Sequence, residues 1–240
     1  MKEGVSRGIT TIVTVATRRG GQQHIPRPQS YRPGREPPWA ALDPKQRRFT
    51  LAEVRERLAD MPPAVEKGPQ VEGSQSAAVL VPLYEADGET GVVLIKRPET
   101  MRSHRGEIAF PGGKFEAGVD RDLRAAALRE AHEEVGLAPD DVEVVARLDG
   151  IGTVASRFTI TPFVGFLAGL PVLTPNPREV VRTLEVRLSE LLDPDAYREE
   201  RWDTHTTDFG VHFYELDDET VWGATARILT SFLAHLVAER

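Results

Sequence analysis

Hydrophobic positions first recur at helical spacing at Leu51, Val54 and Leu58, directly after Thr50 and around Glu53. A Thr and a Glu three residues apart can satisfy the free N–H groups of a helix start. A helix is therefore predicted from Thr50, stopped by Pro62-Pro63. Residues 64–75 read as a linker. From Ser76 the period changes. Residues 77–84 and 92–95 are apolar runs of strand length around an Asp87-Gly88 turn, which predicts a hairpin. A short strand over 108–110 leads into Pro111-Gly112-Gly113. A helix is predicted over 121–135, with Gly136 as its stop signal. Strands follow over 142–148, 160–167 and 183–187, then a second hairpin from 204–206 and 211–215. A last amphipathic helix covers 221–237, with Ala226, Leu229, Leu233 and Val237 on one stripe. This order of strands, helix, strands, helix predicts an α/β sandwich with a mixed sheet and two main helices, rather than a doubly wound parallel sheet.

Composition adds a division along the chain. The formal net charge is −7, from 30 basic and 37 acidic residues, yet residues 1–49 hold ten Lys/Arg and only three Asp/Glu. Residues 18–48 are rich in Arg, Pro, Gly and Gln and read as a solvated, dispensable extension. Tyr31 and Trp39 are too sparse there to make base-stacking platforms, so no nucleic-acid partner is expected. Hydrophobic content of 40% suffices for a packed core in the remainder. No apolar run reaches the length of a membrane span. Ile9 to Thr17 is short, Thr-rich and followed by Arg18-Arg19, which argues against a secretory leader. The absence of cysteine excludes disulfides, thiolate metal sites and Cys nucleophiles. It fits a reducing compartment, and a cytoplasmic location is expected.

The chemistry concentrates in residues 129–136, Arg-Glu-Ala-His-Glu-Glu-Val-Gly. On a helix, Glu130, Glu133 and Glu134 fall within about 100° of arc, beside an apolar arc of Ala127, Leu128, Ala131 and Val135. Like charges so placed repel, and a hard oxygen-seeking cation such as Mg²⁺ or Mn²⁺ would remove that penalty. Taken alone, the cluster is equally a solvated acidic patch. Gly112 and Gly113 just upstream allow close approach of a ligand to the backbone. Arg97, Arg102, His104 and Arg105 supply positive charge suited to a diphosphate.

Residues 113–137 resemble the Nudix box, in which a Gly, five residues, a Glu and seven residues precede Arg-Glu-apolar-x-Glu-Glu-x-Gly-apolar. The second half matches at every fixed position. The resemblance implies a Nudix-type α/β/α sandwich and hydrolysis of diphosphates with Mg²⁺ or Mn²⁺. It further implies that Glu130, Glu133 and Glu134 ligate the metal, and that one of them or a nearby loop carboxylate activates water. Arg129 would hold a glutamate in place. The first half departs from the pattern: the loop is two residues longer, and Val119 stands where Glu is expected. Glu116, Asp120 and Asp122 are the candidates to replace it, with Asp120 best placed to cap the helix.

The spacing of Arg97, Arg102, Gly106 and Phe110-Pro111-Gly112-Gly113 is similar to the signature of the coenzyme A pyrophosphatase branch. Phe158 to Pro162 and Trp222 to Ile228 also look like that branch. The resemblance implies conversion of coenzyme A and water to 3′,5′-ADP and 4′-phosphopantetheine, with Arg97, Arg102, His104, Gly112 and Gly113 contacting substrate. Glu179, on a turn before a strand, is a base, an extra ligand or a surface residue. Trp202 and Tyr214 are ligand contacts or core. The chain thus divides into an extension (1–48), a helix with linker (49–75) and a Nudix domain (76–240). Competing functions are hydrolysis of another nucleotide diphosphate such as ADP-ribose, and a binding module that has lost the chemistry. A homodimer is suggested by fold analogy alone.

Overall fold

A computed structural model describes residues 19–68, 72–101, 103–153, 157–203 and 208–238. In chain order the elements are β1 (Tyr31–Pro33), α1 (Leu51–Ala59), β2 (Glu66–Lys67), β3 (Gln75–Ala86), β4 (Glu89–Lys96), β5 (Ile108–Ala109), β6 (Gly112–Lys114) and α2 (Leu123–Val135). They continue with β7 (Glu143–Arg147), β8 (Gly150–Gly152), β9 (Phe158–Phe166), β10 (Arg182–Arg187), α3 (Leu188–Leu191), β11 (Tyr197–Asp203), β12 (Asp208–Glu215), β13 (Thr220–Trp222) and α4 (Gly223–Val237). A mixed sheet runs β10-β4-β3-β9-β8-β2, with β5, β6 and β7 pairing β4, β3 and β9. Its strands are antiparallel except where β3 meets β9 and β2 meets β8. A second, antiparallel sheet runs β1-β11-β12-β13.

Alternation along β3 divides the core. Ala78 and Leu80 face α2 with Ala126, Ala127, Ala131 and Val135. Val81 and Leu83 point the other way, toward α4 and α1, with Leu229, Phe232, Leu233 and Val54. The expected sandwich follows. Phe163 and Phe166 pack in these cores with Phe232. No helix of the described residues is long and apolar enough to cross a membrane.

Local chemistry sets the helix limits. Thr50 and Glu53 form the capping box, and Gly136 ends α2 in the left-handed conformation at φ 75°. The start of α2 differs from expectation. Asp122, not Asp120, is the cap, accepting from the Ala125 amide at 2.8 Å, so the helix begins at Leu123.

The second hairpin uses β11, a strand the hydropathy pattern conceals. The expected partner at 204–206 lies outside the described residues. β11 is rich in charge because its buried positions are filled by paired groups. Glu200, only 4% exposed, accepts from Trp202 Nε1 at 2.8 Å and pairs with Arg198 and with Arg27 at 3.2 Å.

Over 18–48, expected as a solvated tail, the described residues from 19 onward are anchored at a few points while most of their side chains stay exposed. β1 adds to the edge of β11, and the Gln23 amide bonds Glu219 and Thr220. Trp39 is fully buried against Tyr197 and Tyr214, at centroid distances of 5.3 and 6.5 Å. A few anchors therefore hold a segment whose average composition is that of a loop. Trp39→Ala should destabilise the protein by about 3–5 kcal/mol, the usual range for a buried aromatic. Chemical denaturation measures this directly, and a loss below 1 kcal/mol would mean that the extension does not pack as described. Ile9 to Thr17 lie outside the described residues.

Candidate active site

Three pieces of chain converge where β6 meets α2. β6 pairs β3 with Gly113 opposite Ala78 and Gly112 opposite Val79. Both glycines are required by space. A Cβ on Gly112, at φ 152°, would lie 2.4 Å from the Ala78 carbonyl oxygen, and one on Gly113 would lie 2.4 Å from the Glu130 carboxyl carbon. The strand thus lets the Glu130 carboxylate rest on its backbone.

Glu134, one turn further along α2, is 2% exposed. It accepts from the Gly112 amide at 2.9 Å and from Arg97 Nη1 at 3.4 Å. Burial pushes its pKa up to about 7, against the opposing pull of Gly112 and Arg97; Glu130 and Glu179 push further in the same direction. Glu130 is also raised, first by burial, with Arg129 opposing and Glu133 and Glu179 adding. Arg97 Nε is buried without an acceptor among the described residues.

Glu179 arrives from a loop that closes the end of α2. The Thr174 and Asn176 amides donate to the otherwise free carbonyls of Val135 and Glu134, both at 2.9 Å, and the Glu179 amide donates to Asn176. The turn thereby brings Glu179 within electrostatic reach of Glu130 and Glu134. Its negative charge adds to that of the two helix glutamates.

Glu133 stands apart from that pair. Its half-exposed carboxylate accepts from Arg129 Nη1 at 3.0 Å. The same nitrogen lies 3.1 Å from Glu130 Oε1. Arg129 is itself clamped by Asp120, with Nε to Oδ1 at 2.8 Å and Nη2 to Oδ2 at 3.1 Å, and Nη2 also donates to the Lys114 carbonyl. The Glu116 amide holds Asp120 Oδ2 at 2.8 Å. Hydrogen bonds from Arg129 keep the Asp120 carboxyl below the usual carboxylate range. Of the three acids considered for the position of the missing Glu, Asp120 makes the contact to Arg129, because the longer loop brings it back under the helix.

The basic loop is only partly engaged. His104, at φ 55°, directs Nδ1 to Glu107 at 2.8 Å, which raises its pKa, and does not touch the carboxylates. Arg105 is exposed and donates to the Met101 carbonyl. Arg102 lies outside the described residues. Tyr214 is fully buried, its hydroxyl 2.9 Å from Thr230 Oγ1, and with the buried Trp202 it belongs to the core.

Among the described residues no three His, Asp or Glu side chains are already gathered as a metal cage. The donor chemistry nevertheless suits a hard divalent cation. Glu130 and Glu134 are both raised, each with a contribution from the Glu179 charge, and a cation would discharge that repulsion. Arg129 engages one oxygen each of Glu130 and Glu133.

Residues 74–205 match the NUDIX domain model. The chain is 39% identical over 166 residues to the peroxisomal coenzyme A diphosphatase NUDT7 of Mus musculus, covering 69% of this chain and 70% of that protein. It is 35% identical over 158 residues to the uncharacterized Nudix hydrolase NudL of Photorhabdus laumondii, covering 66% and 83%. To Nudix hydrolase 22, chloroplastic, of Arabidopsis thaliana it is 39% identical over 162 residues, covering 65% of this chain and 53%, about half, of that relative. The chain belongs to the Nudix hydrolase family, whose enzymes cleave small-molecule diphosphates and generally use divalent metal ions.

Proposed function

We propose that the chain hydrolyses the diphosphate of coenzyme A or its thioesters to 3′,5′-ADP and (acyl-)4′-phosphopantetheine. One observation carries the reading. Arg97 and Gly112, from the two ends of the segment that carries the branch signature, both donate to Glu134. Similarity to the mouse coenzyme A diphosphatase supports the same substrate. A module that had lost its chemistry would gain stability by discarding two buried, mutually repelling carboxylates, so their presence favours an enzyme.

In this reading Glu130, Glu133 and Glu134 hold Mg²⁺ or Mn²⁺. Such an ion offsets charge on the diphosphate and makes water more acidic. Arg97, with its unengaged Nε, binds a diphosphate oxygen, and Arg102 and His104 of the same loop add positive charge. Gly112 and Gly113 leave room for the phosphate against β6. Glu179 takes a proton from the attacking water. A new P–O bond forms in line as the bridging P–O bond breaks, and the leaving phosphate carries away the electron pair. Arg129, fixed by Asp120, keeps the glutamates in position. A reducing compartment such as the cytoplasm accords with the cysteine-free composition.

Incubation of the full chain with Mg²⁺ or Mn²⁺ and coenzyme A tests this. Equal amounts of 3′,5′-ADP and 4′-phosphopantetheine, resolved by mass, are expected. Intact coenzyme A beside hydrolysed ADP-ribose would transfer the assignment to another nucleotide diphosphate.

A further inference from the structure

Arg227, on the second turn of α4, takes no part in the carboxylate site. Among the described residues it is the one lysine or arginine that is not exposed and has neither an ion pair nor a hydrogen bond. Every other cation at comparable depth has a partner: Arg97 has Glu134, Arg129 has Asp120, and Arg198 has Glu215. Partial burial lowers the pKa of Arg227, and no acid offsets this. Burying a charge without a counter-charge is unfavourable, so in the free protein this arginine is a destabilising element.

The surrounding backbone is shaped around the guanidinium. Gly68, just after β2, has φ 97°, and a Cβ there would lie 3.1 Å from Arg227 Nη1 and 3.2 Å from the Gly152 carbonyl oxygen. The Gly68 backbone thus lies against the guanidinium, whose N–H groups stay unengaged among the described residues. Arg227 and Arg201 both act on His212. Glu199, which also acts on His212, is engaged by Arg201 at 3.2 Å. A planar fork of N–H donors without a counter-charge fits an oxyanion such as a phosphate ester.

This corner is separate from the diphosphate site. Gly152 pairs Thr159 of β9, β9 pairs β3, and β3 pairs Gly113 of β6. Three strand spacings, about 14 Å, therefore separate the two across the sheet.

We propose that Arg227 is the anchor of a second anion site, holding a phosphate-class group beside Gly68. The anion is either a phosphate at the far end of an extended substrate or a free effector. The proposal does not rest on the substrate assignment, because its first test uses no substrate. The full chain, with chelator present, is titrated with inorganic phosphate and its melting temperature followed. The set is wild type, Arg227→Met, Arg227→Lys and Arg124→Gln, the last an exposed arginine as control.

In phosphate-free buffer Arg227→Met should melt at or above the wild-type temperature. Phosphate should stabilise wild type and, more weakly, Arg227→Lys, whereas Arg227→Met should bind it at least tenfold more weakly. Arg124→Gln should behave as wild type. Unchanged phosphate affinity in Arg227→Met, or melting well below wild type, would overturn the proposal. KM for coenzyme A and for its 3′-dephospho form then identifies the source. A rise confined to coenzyme A in Arg227→Met assigns the anion to the substrate; equal KM values in variant and wild type assign it to a free effector.

Discussion

Replacing Glu134 by Gln should lower kcat by about 10²–10⁴-fold, the range seen when a group that handles charge or protons at the reacting centre is lost. Glutamine preserves the shape and can still accept from the Gly112 amide, so the strand and helix should remain in register. What disappears is the negative charge at the most buried point of the carboxylate cluster. Stability should respond in the opposite sense. The folded-state pKa of Glu134 is raised to about 7 from an ordinary value of 4.5, first by burial. Ionisation therefore opposes folding, and the metal-free protein should lose stability as pH rises from the unfolded-state value toward 7. The Gln variant should lack that part of the decline and melt at or above wild type at neutral pH. Circular dichroism melts at two pH values, beside steady-state rates, separate the effects. Near-normal turnover, or a variant that fails to fold, would remove Glu134 from the role assigned to it.

Asp120→Asn should reduce activity by about 10–100-fold although Asp120 is not itself proposed to touch substrate or metal, as is common for residues that orient metal ligands. Its carboxylate receives two nitrogens of Arg129 and the Glu116 amide. Without that clamp, Arg129 is left to Glu130 and Glu133, whose oxygens already lie within 3.1 Å of Nη1. The arginine would then compete more strongly with a cation for the same glutamates. The metal concentration for half-maximal rate should rise, and more Mg²⁺ should recover part of the loss. Asp120→Glu, which keeps the charge, should fall between Asn and wild type. A loss of rate with unchanged metal dependence would contradict the clamp.

Much of the site could be read from the sequence because it depends on local spacing. Glu130 and Glu134 share a helix face by periodicity. Gly112 and Gly113 stand out as residues where a side chain would collide. The Thr50–Glu53 box and Gly136 mark helix ends through bonds made within a few residues. Contacts set by tertiary packing were not legible. Asp120 reaches Arg129 across a loop whose length departs from the usual pattern. Glu179 adds its charge to that of the helix glutamates only because its loop satisfies the free carbonyls of α2. Trp39 looks isolated in a basic stretch until Tyr197 and Tyr214 are folded against it. β11 lacks an apolar alternation because Glu200 and its partners occupy its buried positions. Arg227 lies in the Trp222–Ile228 run that resembles the branch, but its lack of a counter-charge is visible only in three dimensions.

In the proposed function, the Arg97-to-Gly113 segment and the carboxylates of α2 together select coenzyme A. The most direct test compares kcat/KM for coenzyme A and for ADP-ribose with the full chain at saturating Mg²⁺ or Mn²⁺. Coenzyme A should be preferred by at least about tenfold, equivalent to about 1.4 kcal/mol in transition-state binding. A preference for ADP-ribose would contradict the account.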